Sequence, residues 1–179
     1  NTATTILSRE GDDEIRVKGN ANLLTIEGGE GADTFNVGND SNTLADIQGD
    51  ILVRGDNPAV DPGDTLNLDN TASKADFADT VLTATTLDGT ILNGNTLSYF
   101  TIEDLNLHLG AGDDTVRVKS TSAETVIDDT GGDDIFTISS DADTLDLLSG
   151  VLDIDAGDGI NLLTVPDSGD STEAHAVDY

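Results

Sequence analysis

The sequence predicts an all-β chain: a parallel β-helix, or β-solenoid, with rungs of about 20 residues. Three observations carry this. Short runs such as "DEIRVK", "DTFNV", "DTLNL", "DTVRV" and "DIFTI" alternate apolar and polar residues, the period of a half-buried strand. Gly-Asp turns return every 20 residues, with Gly11 and Gly31 matched by Gly112 and Gly132. Short strands between tight turns cannot each bury a core, but stacked repeats can. A β-sandwich is the alternative, since its strands have similar lengths.

The elements follow from this pattern. Ile15, Val17, Phe35, Val37, Leu66, Leu68, Val116, Val118, Phe136 and Ile138 are expected to face one interior, with the intervening Thr, Asn, Arg and Lys outward. "LSYFTIEDLNLHLG", Leu97 to Gly110, reads as the longest strand region, and "SKADFADTV", Ser73 to Val81, as a short surface helical turn. The glycines sit mainly at strand ends, as turn residues.

A longer repeat overlies the short one. "GDDEIRVK" (Gly11 to Lys18) returns as "GDDTVRVK" (Gly112 to Lys119), and "GADTFNV" (Gly31 to Val37) as "GDDIFTI" (Gly132 to Ile138), both offset by 101 residues. "GDTLNL" (Gly63 to Leu68) matches "GDGINL" (Gly157 to Leu162) at an offset of 94, with the loss placed near "NPAVDP", Asn57 to Pro62. The chain therefore divides into a first repeat unit, residues 1–101, and a second, truncated unit, residues 102–179, in one continuous solenoid. A truncated tandem suggests a longer parent array.

Composition narrows the function. Thirty-six acidic residues against seven basic ones give a formal net charge of −29. Such charge with few aromatics often signals disorder, but 36% hydrophobic residues in alternating runs argue for a fold. Nucleic acid and anionic membrane are poor partners, because the phosphate interaction is repulsive. Without Cys there are no disulfides, thiolate metal sites or thiol catalysis. No run of about 18 apolar residues suggests a membrane span. "NTATTILSRE" has no signal-peptide pattern, so the sequence reads as an excised piece of a secreted chain.

The acidic turns carry the candidate site. Stacked turns put carboxylates in one column, where they repel unless a cation lies between them. Calcium takes six to eight oxygens, carboxylates and backbone carbonyls among them. Asp13 and Asp33 are expected to share one site, and Asp114 and Asp134 its duplicate. Asp12, Asp113 and Asp133 are additional donors, and Gly29, Gly31 and Gly112 let carbonyls approach the ion.

At these residues the chain resembles a known family. "GGEGADTFN", Gly28 to Asn36, fits the nonapeptide G-G-x-G-x-D-x-U-x of RTX calcium-binding repeats. "LGAGDDTVR", Leu109 to Arg117, departs at its first position. "SREGDDEIR", Ser8 to Arg16, and "DTGGDDIFT", Asp129 to Thr137, keep the fourth-position glycine, the sixth-position aspartate and the apolar eighth position. The resemblance implies calcium between rungs at Asp13, Asp33, Asp114 and Asp134. It covers about a fifth of the chain, and its motifs recur every 20 residues where RTX arrays recur every nine, which argues against a regular calcium β-roll. The 100-residue unit resembles tandem domains of large bacterial surface and adhesion proteins, and the repeat domains of diatom adhesive-trail proteins. The implied function is a calcium-binding structural or adhesive module of an extracellular repeat protein. Its implied partners are calcium, and polysaccharide, an abiotic surface or neighbouring repeat units.

Other motifs weigh less. "DIDAGDGINLLT", Asp153 to Thr164, resembles an EF-hand loop, but its sixth position is Asp158 and its twelfth Thr164. "VRGDNP", Val53 to Pro58, contains Arg-Gly-Asp and reads as an exposed turn. The "TATT" pairs at Thr2 to Thr5 and Thr83 to Thr86 are weak signals of an ice-binding face. Catalysis has little support: Arg16, Lys18, Arg117 and Lys119 repeat as outer strand residues, and His108 and His175 lack nucleophile partners. A carbohydrate-binding module is the alternative, and a polysaccharide-active β-helix enzyme ranks below it.

Overall fold

Alternation and glycine turns produce a chain of short strands. The computed structural model describes residues 2–57 and 63–170, with Asn57 described by its backbone alone. In chain order the strands are β1 (Thr4–Glu10), β2 (Glu14–Val17), β3 (Leu24–Glu30), β4 (Thr34–Val37) and β5 (Ile51–Asn57). There follow β6 (Thr65–Asp69), β7 (Thr80–Leu82), β8 (Thr86–Asp88), β9 (Thr96–Phe100) and β10 (Asp104–His108). The last are β11 (Thr115–Val118), β12 (Glu124–Asp128), β13 (Ile135–Ile138), β14 (Leu152–Asp155) and β15 (Leu162–Thr164). One 3₁₀ turn, Thr90–Leu92, is the helical element among the described residues.

The strands form two open, largely parallel sheets. The nine-stranded sheet runs β1-β3-β5-β9-β8-β7-β11-β13-β15, and the six-stranded sheet β14-β12-β10-β6-β4-β2. The six-stranded sheet is parallel throughout. Only β8 is antiparallel to its neighbours, β7 and β9. The parallel pairing differs from the antiparallel pairing of an immunoglobulin-type sandwich.

One aliphatic core lies under both sheets. Val17, Phe35, Val37, Leu66, Leu68, Val116, Val118, Phe136 and Ile138 are buried in it as the alternation predicts, and Ile15 packs against it half-buried. The columns are in register: Phe35 pairs with Leu66 and Leu66 with Leu105, so each apolar residue stacks on its equivalent. A one-residue slip would turn every one of them to solvent.

Several local expectations are corrected. Leu97 to Gly110 is not one strand: Thr101 takes a left-handed φ of 53°, and the chain crosses from β9 in one sheet to β10 in the other. Ser73 to Val81 forms no helical turn. Its backbone groups serve the next rung instead, Phe77 N–H donating to Asp114 Oδ1 and Phe77 C=O accepting from Thr115 N–H. Arg54 and Gly55 lie within β5, so Arg-Gly-Asp belongs to a strand end and not a free turn; Pro58 and Pro62 lie outside the described residues. Thr83 and Thr86 hydrogen-bond across the β7–β8 turn, not on a flat threonine face. The EF-hand-like segment is flanked by β14 and β15, not by helices.

The long repeat changes sheets. At the 101-residue offset, β2 and β4 correspond to β11 and β13, yet the first pair lies in the six-stranded sheet and the second in the nine-stranded sheet. Strands β3 and β12 are exchanged in the opposite sense. The cause lies between residues 70 and 100. There β7, β8 and β9 form a meander wholly within the nine-stranded sheet. It counts as one passage through that sheet, so an odd number of crossings between the sheets separates β2 from β11, and the second copy of the motif starts on the opposite sheet.

Candidate acidic turn sites

The change of sheet divides the aspartates. Asp13, Asp33 and Asp64 line the edge where the chain passes from the nine-stranded to the six-stranded sheet. Asp114 and Asp134 line the opposite edge, where it returns. The column expected from the sequence is therefore two columns on opposite edges.

At both edges a buried carboxylate holds the preceding rung. Asp13 N–H donates to Asp33 Oδ1 at 2.8 Å, Asp33 N–H to Asp64 Oδ1 at 2.7 Å, and Asp64 N–H to Glu103 Oε2 at 2.8 Å. On the other edge Asp114 N–H donates to Asp134 Oδ1 at 2.8 Å and Asp134 N–H to Asn161 Oδ1 at 2.9 Å. Asn161 is thus the structural counterpart of Asp64, at an offset of 97. The match of "GDTLNL" with "GDGINL" at 94 was out of step by three residues.

An outer ladder runs the other way. Asp12 Oδ1 accepts Ala32 N–H, Asp113 Oδ1 accepts Asp133 N–H, and Asp133 Oδ1 accepts Ile160 N–H, each at 2.9 Å. Asp12, Asp113 and Asp133 are exposed at the turn surface, with one oxygen already engaged. Gly29 and Gly31 have φ of 105° and 133°, and a Cβ on either would strike the backbone of the rung before, at Arg9 and Gly11. Gly112 abuts Ala75 in the same way. These glycines serve close stacking of rungs.

The inner carboxylates are left half satisfied. Oδ2 of Asp33, Asp64, Asp114, Asp129 and Asp134 is buried without a hydrogen-bond partner. An unmatched buried carboxylate oxygen is costly, so each calls for a proton or a cation. In the first edge the space beside Asp33 and Asp64 is kept by Gly28 and Gly55, where a Cβ would overlap the respective Oδ2. In the second edge the residue 101 places after Gly28 is Asp129. Its carboxylate joins the other two: one oxygen each of Asp114, Asp129 and Asp134 lie within 4.8 Å of one another. Among the described residues this is the one such set of three, and Asp13 with Asp33 is not part of one. The three side chains are 1%, 7% and 0% exposed.

Electrostatics mark Asp129, Asp114, Asp64 and Asp33. Burial pushes Asp129 up to about 7, offset by the Gly131 N–H bond and reinforced by the charges of Asp134 and Asp114. Burial also raises Asp114 and Asp64 to about 6 and pushes Asp33 upward. At these carboxylates a proton and a cation compete for the same oxygens near neutral pH.

Sequence reasoning missed Asp129, Asp64 and Asn161. The signal for Asp129 was its place as the departure from glycine at the first position of "DTGGDDIFT". His108 Nδ1 lies 3.2 Å from Asp128 Oδ2 on the outer strand face, and His175 lies outside the described residues. Among the described residues no helix is long and apolar enough to cross a membrane. Comparison of the chain with protein-family models, curated proteins and solved structures finds no match.

Proposed function

We propose that the chain is a parallel β-solenoid in which acidic turns bind divalent cations, serving as a calcium-dependent structural or adhesive module of an extracellular repeat protein. The observation that carries this is the trio of buried, unpartnered carboxylate oxygens on Asp114, Asp129 and Asp134. Three hard oxygens from adjacent rungs suit calcium. These residues would hold the ion, which would neutralise their mutual repulsion and tie the rungs of β11 and β13 together. Asp33 and Asp64 form a two-carboxylate counterpart at the other edge. Extracellular calcium modules bind at about 10⁻⁴–10⁻³ M. A module of that affinity would be stiff where calcium is plentiful, and its acidic exterior would bridge through further cations to surfaces or polysaccharide.

A second reading, carbohydrate binding, rests on the outer face of the six-stranded sheet. Asn106 donates to Asn67 and Asn67 to Asn36, an amide ladder beside Arg16, Lys18 and His108 in a shallow groove. A saccharide bound there would be indifferent to the acidic turns.

The deciding experiment is calorimetric titration of calcium into chelator-treated protein, with Asp129→Asn and Asp13→Asn as comparisons. Binding lost in Asp129→Asn and kept in Asp13→Asn supports the cation reading. Heats identical in all three proteins would sink it.

A further inference from the structure

The outer face of the six-stranded sheet carries a groove of about 400 Å³ over β2, β4, β6 and β10, a volume in the range of small-ligand sites. Its floor is the amide ladder. Asn106 Nδ2 donates to Asn67 Oδ1 at 2.8 Å, Asn67 Nδ2 to Asn36 Oδ1 at 2.9 Å, and Asn36 Nδ2 to Glu14 Oε1 at 3.1 Å. Each bond uses one of the two amide hydrogens, so each half-buried asparagine is held in place with a second N–H to offer. The floor is an outward strand face, which a further strand beside β2 would lengthen and not cover. Charge in this groove is paired. Arg16 meets Glu14 at 2.5 Å, Lys18 meets Asp40 at 2.5 Å, and His108 meets Asp128 at 3.2 Å. Such a pair presents a donor and an acceptor side by side, and a sugar hydroxyl both donates and accepts. A polyanion gains little from cations already paired, and the net charge of −29 repels it.

The basic pair recurs. Arg117 and Lys119 follow Arg16 and Lys18 by 101 residues, and both meet Asp141, the counterpart of Asp40, at 3.3 and 3.0 Å. The turn beside each pair is built alike: Asn39 Oδ1 accepts the N–H groups of Ser41 and Thr43, and Ser140 Oγ those of Ala142 and Thr144. Lys119 lines a second hollow, of about 450 Å³, with the hydroxyl residues Thr83, Ser120, Ser140 and Thr144. The turn that forms it is itself covered by the next, Gly169 N–H donating to Asp143 C=O. Because the repeat changes sheets, this hollow lies on the nine-stranded sheet, on the other side of the core from the first groove.

We propose, resting on the saccharide reading of the first groove, that the module binds neutral linear glycans at two equivalent grooves, one on the outer face of each sheet, and so bridges two polysaccharide chains. In the first groove the glycan lies across the strands, along the ladder. Successive asparagines are one rung, about 4.8 Å, apart, close to the length of one pyranose unit, so consecutive sugars meet equivalent amides. The surface ion pairs are worth little in themselves and open readily to hydroxyl groups. No Tyr or Phe lines either groove, so each holds sugar weakly, and bridging depends on many grooves acting on one polymer. The acidic turns and their cations take no part.

The test is affinity electrophoresis in excess chelator, through gels containing hydroxyethyl cellulose, galactomannan or polygalacturonate, with light scattering of the chain mixed with each polymer. Lys18→Ala/Asn67→Ala disables the first groove, Arg117→Ala/Lys119→Ala the second, and a third variant carries all four changes. Circular dichroism and melting establish that each folds. The wild-type chain is expected to be retarded by a neutral polymer and not by polygalacturonate, and to raise the scattering of that neutral polymer. Each two-residue variant should keep part of the retardation and lose the scattering, and the four-residue variant should migrate as in a plain gel. A wild-type chain that neither neutral polymer retards, or retardation kept in the four-residue variant, would overturn the proposal and the saccharide reading together. Retardation by polygalacturonate alone would overturn the neutral class and leave a saccharide site. An Arg117→Ala/Lys119→Ala variant that matches wild type in both assays would overturn the second groove and leave the first.

Discussion

The two acidic edges are built from one repeated sequence unit and differ at one decisive position. At the first, Gly28 stands beside Asp33, and the stack is a backbone-capping ladder. At the second, the equivalent residue is Asp129, and the ladder becomes a pocket of three carboxylates. Residues that define the repeat, such as Asp33 and Asp134, do the same backbone work at both edges. The residue that breaks the repeat is the one that creates a candidate site. In a repetitive fold, departure from the consensus is therefore as informative as agreement with it.

The largest test of this comparison lies in the core beneath the edges. Phe35 and Phe136 are counterparts, both buried, but Phe35 is held between Ile15 and Leu66 while Phe136 has the exposed Leu163 on its far side. Replacement by Ala should cost about 3–5 kcal/mol, with Phe35→Ala at the upper end and Phe136→Ala at the lower. Urea denaturation measures both; equal losses would mean that the exposure of Leu163 does not weaken the packing of Phe136.

Calcium should act on the second edge. At a hundredfold excess over Kd, binding to the folded state alone stabilises by about 2.7 kcal/mol. A rise in Tm of that origin should vanish in Asp129→Gly, which restores the glycine found at this position in the first edge, and persist in Asp13→Asn. Differential scanning calorimetry with calcium and with chelator separates the two.

Gly28→Ala should destabilise by about 1–3 kcal/mol through the clash with Asp33 Oδ2. Asp129→Ala in chelator should have the opposite sign, since it removes a buried carboxylate whose Oδ2 has no partner. A stabilising Gly28→Ala in thermal melts would show that the first edge has the room for a side chain that its glycine denies.

The smallest effect is the pH dependence. Asp129, Asp114 and Asp64 are raised above the unfolded Asp value, so between about pH 4 and pH 7 the folded chain binds more protons than the unfolded one. In chelator their contribution is fully present below about pH 4 and is lost as pH rises through about 6 to 7. Stability should therefore increase on acidification from pH 8 to pH 5, less steeply in Asp129→Asn. The calcium-induced gain should show the reverse trend, greatest above pH 7, because protons and the cation compete for the same oxygens. Melting curves across this range check both slopes.

Much of this architecture was legible in the amino-acid order. Alternation placed Phe35, Val37, Val116 and Phe136 in the interior, because a strand has two faces and only one is dry. The Gly-Asp turns marked the starts of β2, β4, β11 and β13, and the 101-residue offset relates the first two to the last two. The failures were non-local. Ser73 to Val81 looked helical because its spacing was read without the rung that captures its backbone groups. Leu97 to Gly110 looked continuous because nothing in its composition announces the turn at Thr101. The "GDGINL" match drew Gly157 into line with Gly63, whereas the hydrogen bond to Asp134 N–H places Asn161 where Asp64 stands.

By itself, then, the sequence determined which residues face inward and where the Gly-Asp turns fall. Those are properties of a strand and its immediate turn. The tertiary structure alone decided which sheet each strand joins, since both sheets present the same alternation and neither is chosen locally. The β7–β9 meander, by counting as one passage through the nine-stranded sheet, put the second set of aspartates on the opposite edge from the first. There Asp129, Asp114 and Asp134 meet, brought together by the number of sheet crossings before them.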